Sequence, residues 1–408
     1  MKRIGQLYEK ICSLDNLRLA DQKARKGKSH QPGVKAHLVS AESNLLSLQQ
    51  MLLTKTYQTS PYITFKIYEP KEREIFRLPY FPDRILHHAV LNILEPIFRA
   101  VYTADSYSCI RGRGIHGAAR AVKRALRDPE ATRYCLKLDI RKFYPSVSHN
   151  VLKGLLRRKF KDPDLLWLLD EIIESAPGLP IGNYLSQYFA NFYLTYFDHW
   201  LKEEKLVRHY FRYLDDMVFL APNKPSLHRL LGEIRQYLEV HLRLQLKANY
   251  QVFPVAARGI DFVGYRFFLT HTLLRKSIKK NFARMVARRL TLQSVASYYG
   301  WAAHADCNHL LKTLLHEKFQ GIRDQAGPER IRGRQNQDRQ DPQPVNHGRS
   351  LQDREIQVRR RSPGLADPDR GDAARHFYRI SDAAGDDRTG AKGSLPLPDN
   401  DRKRERTL

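Results

Sequence analysis

The sequence has 408 residues and a formal net charge of +27, with 70 Lys and Arg against 43 Asp and Glu. A chain of this length can bury a core for about two or three packed units. The large excess of basic residues predicts a polyanionic partner such as nucleic acid, although a merely soluble basic protein remains an alternative. No apolar run reaches the roughly 18 residues of a membrane helix. The four widely spaced cysteines fit reduced thiols rather than a disulfide framework. We therefore expect an intracellular protein without a membrane anchor.

The first third of the chain is predicted to be mainly helical. Basic helices are expected over 1–60, the second of them at 41–53, with a phosphate-seeking loop at 23–35 between them. An extended stretch follows over 61–80, and the next helix is expected to start at Asp83.

The central part combines short strands with an aromatic helix. RYCLKLDI (133–140) is rich in β-prone residues, and the acid Asp139 is its next-to-last residue. GLPIGN is predicted to be a loop, and 183–201 is predicted to be one helix. Its apolar stripe is Leu185, Phe189, Phe192, Tyr196 and Trp200. VRHYFRYLDDMVFLA (207–221) has two β-prone arms, which predicts a hairpin with acids at its turn.

The last third is predicted to return to helices before its composition changes. A helix over 226–242 is followed by strands within 244–254 and 259–269, and the elements after these are a basic helix at 277–290 and helical, apolar material at 294–315. Beyond Phe319 the sequence is dominated by Arg, Asp, Gly, Gln and Pro, and it contains too little apolar surface to offset the entropy of ordering. We therefore expect a disordered C-terminal tail.

Three acidic residues form the strongest candidate for a catalytic group. Asp139 closes a predicted strand, and Asp215 and Asp216 lie at a predicted hairpin turn. If these strands are neighbours in one sheet, the carboxylates converge at its rim. Hard divalent ions such as Mg²⁺ bind oxygen ligands, and two such ions can activate a hydroxyl and stabilise a pyrophosphate leaving group. The alternative is that these residues are solvated acids in turns. The order of the surrounding motifs favours the catalytic interpretation. His304, Cys307 and His309 are spaced like metal ligands, but a fourth ligand is missing.

At these motifs the sequence resembles the reverse transcriptase family, over about residues 60–315. LKLDIRKFYPSV (136–147) resembles the first catalytic block of that family, and YLDD (213–216) resembles the block that is most characteristic of it. GIDFVGYRFF (259–268) resembles the primer-grip segment. DRILHHAVLNILEPIF and SYSCIRGRGIHGAARAV resemble the fingers blocks, and all of these motifs occur in the order that the family has.

The resemblance implies an α+β fold with the right-hand architecture of polymerases. The expected parts are an N-terminal segment (1–60), fingers (61–133), a ferredoxin-like palm (134–268, with a fingers insertion at about 147–177), a helical thumb (269–319) and the tail (320–408). It also implies an RNA-directed DNA polymerase in the cytoplasm of a bacterium, or one encoded by a phage. Two Mg²⁺ ions, or Mn²⁺ in their place, would be held by Asp139, Asp215, Asp216 and the backbone carbonyl of Ile140.

The resemblance assigns further residues to substrates. The candidates for dNTP binding are Lys71, Arg73, Arg84, Tyr144, Ile181 and Gly182. Tyr144 is expected to be the aromatic gate that excludes a ribose 2′-hydroxyl; the alternative is an aromatic residue of the core. For Lys71 and Arg73 the alternative is a solvated strand face, and for Arg84 it is a structural ion pair. The candidates for template and primer binding are Tyr213, Gly264, Tyr265, Lys279, Lys280, Arg284, Arg288 and Arg289.

One block departs from the usual family pattern. GLPIGNYLSQ (178–187) has Ile181 before Gly182 where most relatives have Gln, and Gln187 where they have Pro. This form resembles the reverse transcriptases of diversity-generating retroelements. That resemblance implies error-prone copying of a template RNA into cDNA, with errors at template adenines, and a small accessory variability protein as partner. Tyr250 stands where many relatives carry a Lys proposed as general acid, which leaves Lys247 as the candidate for that role.

Two other functions stay open from the sequence. Group II intron, retron and phage-defence reverse transcriptases share the catalytic aspartates, although they usually keep the Gln-Gly form of the block. A catalytically silent RNA-binding protein could also retain this fold. A primer-extension assay separates the enzyme from the binding protein.

Overall fold

A computed structural model describes residues 3–68, 72–288 and 291–314 of the chain. Its helices are α1 (Tyr8–Cys12), α2 (Leu14–Arg25), α3 (Pro32–Val39), α4 (Ala41–Leu53), α5 (Ile85–Val101), α6 (Gly114–Ala125), α7 (Phe143–Ser146), α8 (His149–Lys159), α9 (Pro163–Glu174), α10 (Ser186–Tyr193), α11 (Thr195–His199), α12 (Lys224–Leu242), α13 (Val255–Arg258), α14 (Lys276–Arg288) and α15 (Leu292–Ala302). Its strands are β1 (Ile63–Tyr68), β2 (Glu72–Arg77), β3 (Tyr134–Asp139), β4 (His209–Tyr213), β5 (Asp216–Ala221), β6 (Gln251–Pro254), β7 (Ile260–Phe262), β8 (Tyr265–Phe267) and β9 (Thr272–Leu274). π-helical turns occupy Tyr80–Arg84 and Trp200–Glu204.

A four-stranded antiparallel sheet forms the centre of the molecule. Its order is β4-β5-β3-β6, and helices connect β3 to β4 and β5 to β6. This order and alternation are those of the ferredoxin-like arrangement. The expected α+β class with a ferredoxin-like palm sheet is confirmed.

The two faces of this sheet belong to different hydrophobic clusters, because side chains alternate along each strand. Leu136 and Leu138 of β3 face the larger cluster, which includes the apolar side of α12. Cys135 of the same strand faces the smaller cluster, together with residues of β7 and β8. Asp139 lies in the same alternation as Cys135, so it belongs to the face that carries the β7-β8-β9 sheet.

The N-terminal helices pack directly on α5 rather than standing apart. Leu17 and Ala20 of α2 are fully buried, and the Asn16 side-chain amide donates to the Ala89 carbonyl at 3.1 Å. Polar contacts also connect this segment to the π-helical turn before α5, since the Tyr80 hydroxyl donates to Asp21 at 2.6 Å. The N-terminal segment therefore forms part of the wall behind α5.

The β1-β2 hairpin and the β7-β8-β9 sheet flank the central sheet. β2 contacts the loop before α10, where the Phe76 amide donates to the Ile181 carbonyl at 2.8 Å. At the other flank, Gly264 adopts a φ of 87°, and a Cβ there would lie 2.4 Å from the Trp301 ring. Only glycine allows α15 to pack this closely on the β7-β8 turn.

Several predicted boundaries differ from the structure. The single helix predicted over 183–201 is divided, because Leu194 takes φ −93° and ψ −2° between α10 and α11. The strand predicted within 244–254 begins only at Gln251, since the preceding residues follow a left-handed Arg243 and make one isolated bridge, from Leu246 to Ile140. The loop predicted over 23–35 contains the start of α3, whose first turn accommodates Pro32.

Other predictions fall on parts of the chain that the structure does not describe. The predicted disordered tail over 320–408 lies outside the described residues, as do Lys71 and Arg289. In the part of the chain that is described, no helix is both long enough and apolar enough to cross a bilayer.

Candidate active site

The three acidic residues meet at one end of the central sheet. Asp139 at the end of β3 is the direct antiparallel partner of Asp216 at the start of β5. Asp216 also pairs with Tyr213 across the β4-β5 hairpin, so Leu214 and Asp215 form its tight turn. Leu214 has a φ of 55°, which is uncommon for a non-glycine residue and marks a sharp reversal of the chain.

Two of these carboxylates have raised pKa values. Burial raises the pKa of Asp215 to about 6, and the negative charge of Asp139 adds to the rise. Burial also raises the pKa of Asp216, and the positive charge of Lys137 partly opposes this rise. Carboxylates on directly paired residues disfavour one another's ionisation unless a cation lies among them.

Two lysines accompany the acids. The Lys247 Nζ lies 2.5 Å from Asp139 Oδ1, and the Lys247 amide donates to the Asp139 carbonyl at 2.9 Å. The Lys137 Nζ lies 3.3 Å from Asp216 and also donates to the Asp261 carbonyl on β7. Lys137 was missed in the sequence, although its position two residues before Asp139 places it on the same face of the strand.

The acids have the chemistry of a divalent-cation site. Asp216 Oδ1 is buried, and it forms an ion pair with Lys137 Nζ at 3.3 Å without a hydrogen bond of its own from the described residues. The donor set of the three acids consists of the hard oxygens that Mg²⁺ prefers. No group of three or more His, Cys, Asp and Glu in metal-binding geometry occurs among the residues that the structure describes. This holds for His304, Cys307 and His309, and it holds equally for Asp139, Asp215 and Asp216, whose side chains are not arranged around a common centre. Ile140 is fully buried directly after Asp139.

Tyr144 lies next to these acids. It is a half-buried residue of α7, and its pKa is raised by burial and, among the neighbouring charges, by Asp215. Its carbonyl accepts from the Leu179 amide at 2.8 Å. A Cβ at Gly178 would lie 2.6 Å from that carbonyl oxygen, so the glycine lets the 178–182 loop pack against α7.

The same loop reaches the β1-β2 hairpin through Ile181 and Gly182. Gly182 has a φ of 111°, and a Cβ there would lie 2.6 Å from the Phe76 carbonyl oxygen. Arg73 is exposed on β2, opposite Ile67 in β1. The loop therefore connects the strand that carries Arg73 with the segment that carries Tyr144.

Arg84 lies in the π-helical turn at the start of α5. Burial lowers the pKa of His88 to about 3, and the positive charge of Arg84 is the next contribution. The His88 ring stacks on Tyr184 at a centroid distance of 4.3 Å. Arg84 is thus placed near the helical side of the 178–187 segment.

The candidates for template and primer binding fall into two groups. Tyr213 is half-buried beside the acids, whereas Tyr265 is fully buried and donates its hydroxyl to the Trp301 carbonyl at 3.0 Å. Its ring is therefore enclosed by protein and offers no surface to a primer. In α14 the buried side is formed by Phe282 and Val286, and the opposite side carries the exposed basic residues Lys280, Arg284 and Arg288. Lys279 is also exposed, but it lies one turn before Phe282 on the packed side of the helix.

Comparisons with known proteins agree with this arrangement. A family model described as reverse transcriptase (RNA-dependent DNA polymerase) matches residues 70–267. Protein YkfC of Escherichia coli strain K12 is 27% identical over 288 residues, and the match covers 59% of this chain and 74% of YkfC. Group II intron-encoded protein LtrA of Lactococcus lactis is 26% identical over 181 residues, and the match covers 41% of this chain and 29% of LtrA.

The solved structures that resemble this chain are more distant. A structure of telomerase from Candida albicans with a fragment of telomeric RNA has a TM-score of 0.43 at 13% identity, and the match covers 65% of this chain and 55% of that one. A likeness of this strength says nothing further about the chain. The family match includes β3, the YLDD hairpin and β8. Residues 70–267 are therefore a reverse transcriptase domain, the domain of an RNA-directed DNA polymerase.

Proposed function

We propose that this chain copies an RNA template into DNA by adding dNTPs to a primer 3′-hydroxyl at the site formed by Asp139, Asp215 and Asp216. The observation that carries the proposal is the β3-β5 register, which makes Asp139 and Asp216 direct partners. Phosphoryl transfer needs positioning and charge neutralisation rather than a covalent intermediate. A rim of carboxylates beside basic residues meets that need.

The three carboxylates and the Ile140 carbonyl would hold two Mg²⁺ ions, or Mn²⁺ in their place. When bound, these ions supply charge stabilisation for the attacking hydroxyl and the leaving pyrophosphate. The protein's own basic side chains would bind the substrates. Lys71 and Arg73 would contact the triphosphate, and Arg84 would lie behind the 178–187 segment. The basic residues of α14 would contact the backbone of the duplex. Tyr144 would exclude a ribose 2′-hydroxyl, and Lys247 would lie closest to donate a proton.

We further propose that the enzyme belongs to the diversity-generating retroelement type. Support comes from Ile181, which has an apolar side chain. Its carbonyl accepts a hydrogen bond from the Phe76 amide of β2. An apolar side chain gives shape but no hydrogen bond to an incoming nucleotide, and such a pocket discriminates less steeply between right and wrong pairs. Errors would then concentrate at template adenines, and a small accessory protein would assist. The group II intron type shares the acids and remains the second candidate, since LtrA is such a protein.

The test is primer extension by the purified chain on an RNA template with dNTPs and Mg²⁺. Extension that is lost in Asp216→Asn supports the polymerase. A folded wild-type protein that binds template-primer but extends nothing would instead identify a catalytically silent RNA-binding protein. Sequencing the products on a template of mixed composition tests the retroelement type, because only that type predicts errors concentrated at adenines.

A further inference from the structure

A fully buried arginine lies behind the catalytic turn. Arg212 precedes the YLDD motif in β4, and its side chain is directed away from the face that carries the acids, as alternation along the strand requires. Its guanidinium binds Asp198 of α11 with two hydrogen bonds, of 2.8 Å from Nε and 2.5 Å from Nη2. Both side chains are completely buried.

The third nitrogen of this guanidinium reaches the turn itself. Arg212 Nη1 donates to the Leu214 carbonyl at 3.2 Å, and Leu214 is the residue with positive φ directly before Asp215. A non-glycine residue in this conformation persists only where the surrounding structure holds it. Arg212 holds the main chain at this residue from the reverse face of the sheet.

The same network extends to the segments around the nucleotide loop. Arg212 Nη1 also donates to Asn191 Oδ1 at 3.2 Å, and the Asn191 amide donates to the Ser108 carbonyl at 2.7 Å. The Arg212 amide donates to the Asp105 carbonyl at 2.9 Å. The turn is therefore connected both to α10, which follows the 178–185 loop, and to the 105–108 segment.

Stability alone does not account for this arrangement. A buried ion pair gains little over well-packed apolar residues of the same volume, because both charges lose their hydration. Fixed geometry is what the fork of an arginine adds, since one planar group aligns donors toward several acceptors. We propose that Arg212, with Asp198 and Asn191, is a positioning residue that keeps Asp215 and Asp216 in register with Asp139 for the polymerase reaction. This inference rests on the proposed function.

The central variant is Arg212→Lys, which keeps the charge opposite Asp198 but lacks the fork. We expect kcat for single-nucleotide addition to fall about tenfold to a hundredfold, because a displacement of about 1 Å at the reacting groups has effects of that size. The KM for dNTP and the affinity for template-primer should stay within about threefold, since Arg212 touches neither. Mn²⁺ binding to the protein without substrate, followed by electron paramagnetic resonance, should weaken by at least about threefold because two of the carboxylates move.

A second variant tests whether the strained turn is the cause. Leu214→Asn replaces the residue by one that adopts positive φ more readily. In the Arg212→Lys background this change should restore part of kcat, whereas in a merely structural network it should not. The neutral pair Arg212→Gln with Asp198→Asn should show the same loss of kcat without a buried charge.

The control is Asn16→Ala, which removes two buried hydrogen bonds, one to the Ile11 carbonyl of α1 and one to the Ala89 carbonyl of α5. It should lower the melting temperature without changing kcat or Mn²⁺ affinity. Arg212 variants with kcat and Mn²⁺ affinity close to wild type, or with the control's pattern, overturn the inference, and so does unfolding of both Arg212 variants while the control folds. If the wild type itself extends no primer, the proposed function fails, and Mn²⁺ binding still decides whether Arg212 positions the acids.

Discussion

Asp139 and Asp216 are opposite each other in the antiparallel pair of β3 and β5. Direct cross-strand partners have Cβ atoms about 4.5–5.5 Å apart, and like charges at that position repel. Asp215 in the adjoining turn adds a third carboxylate, whose pKa is raised to about 6 by burial and by Asp139. The sheet therefore brings together acids that repel one another, and the ammonium groups of Lys247 and Lys137 offset part of that repulsion.

Asp215→Asn should remove activity while leaving the fold at least as stable. Primer extension should fall by at least about a hundredfold, the loss typical of removing one group that stabilises transition-state charge. The folded state raises the pKa of Asp215, so the ionised carboxylate destabilises it at pH values above that pKa. Replacing the carboxylate by an amide removes this cost, and the melting temperature without metal at pH 8 should rise by up to about 2 °C.

The matched control for this change is Asp164→Asn. Asp164 is an exposed acid that pairs with Lys55 at 2.5 Å in the N-terminal part of the molecule. Its replacement should leave primer extension unchanged and should not raise the melting temperature. A clear loss of stability in Asp215→Asn would show that the three acids do not repel one another.

Lys247→Met should strengthen metal binding. The ammonium lies 2.5 Å from Asp139 Oδ1, and both side chains are about one-third exposed, so the pair contributes on the order of 1 kcal/mol at most. A divalent ion must compete with that ammonium for the carboxylate. Its removal should lower the half-saturating Mg²⁺ concentration by up to about fivefold. Titration of primer extension with Mg²⁺ gives this value directly.

The rate at saturating Mg²⁺ carries separate information in the same variant. If Lys247 donates a proton to the pyrophosphate, kcat should also fall by about tenfold or more. Lys55→Met is the control, because Lys55 forms a similar exposed pair far from the acids. An unchanged Mg²⁺ requirement in Lys247→Met would mean that the contact with Asp139 does not persist in solution.

Tyr144→Ala should allow ribonucleotides to be incorporated. The ring lies close enough to Asp215 for that carboxylate to contribute to its raised pKa. In the proposed dNTP site an aromatic ring at this position would clash with a ribose 2′-hydroxyl. The ratio of kcat/KM for dNTP over NTP should fall by about tenfold to a hundredfold, the discrimination that steric exclusion of this kind supplies. Tyr144→Phe keeps the ring and should keep the ratio. Equal sugar selectivity in the Ala and Phe variants would identify Tyr144 as a packing residue.

Local patterns in the sequence predict the catalytic hairpin well. The arms around Asp215 and Asp216 are β-prone and apolar, and they form β4 and β5 with the acids at the turn. The strand that ends at Asp139 is equally clear, because it is a short apolar run that closes on a carboxylate. Where hydrophobic patterning and turn position agree, the local sequence is sufficient.

The features that were missed depend on contacts between distant segments. Arg212 was not singled out from the sequence, and it is buried with Asp198, fourteen positions earlier, as its ion-pair partner. Tyr265 was expected at a primer-binding surface, but Trp301 of α15 covers it. Leu194 interrupts a continuous apolar helix pattern at a point that no proline or glycine marks. Tertiary packing overrides local preference at each of these positions.

The basic side of α14 should bind template-primer without reading its sequence. Lys280 and Arg284 are one turn apart and exposed, opposite the buried Phe282. The double variant Lys280→Ala with Arg284→Ala should weaken binding at low salt and should reduce the slope of log K against log salt by about 2, because each phosphate contact releases close to one counterion. Arg229→Ala, an exposed change on α12, should leave the slope unchanged. An unaltered salt dependence in the double variant would falsify this assignment.

The last prediction concerns fidelity and depends on Ile181. Its carbonyl accepts from the Phe76 amide at 2.8 Å, a contact that any residue at this position can keep. A substitution of the side chain therefore leaves the connection to the β1-β2 hairpin in place. Ile181→Gln adds a donor and an acceptor to the loop next to Tyr144, and a nucleotide bound as proposed would use both.

Ile181→Gln should accordingly lower the error frequency at template adenines by about threefold to tenfold, since a positioning hydrogen bond contributes roughly 1 kcal/mol to discrimination. Sequencing of single-round cDNA on an RNA template with all four bases measures this frequency. Ile181→Leu, which changes shape but adds no polar group, should keep the wild-type error spectrum. If the Gln and Leu variants make the same errors, the side chain at 181 acts through packing alone, and the proposal that Ile181 causes errors at adenines is wrong.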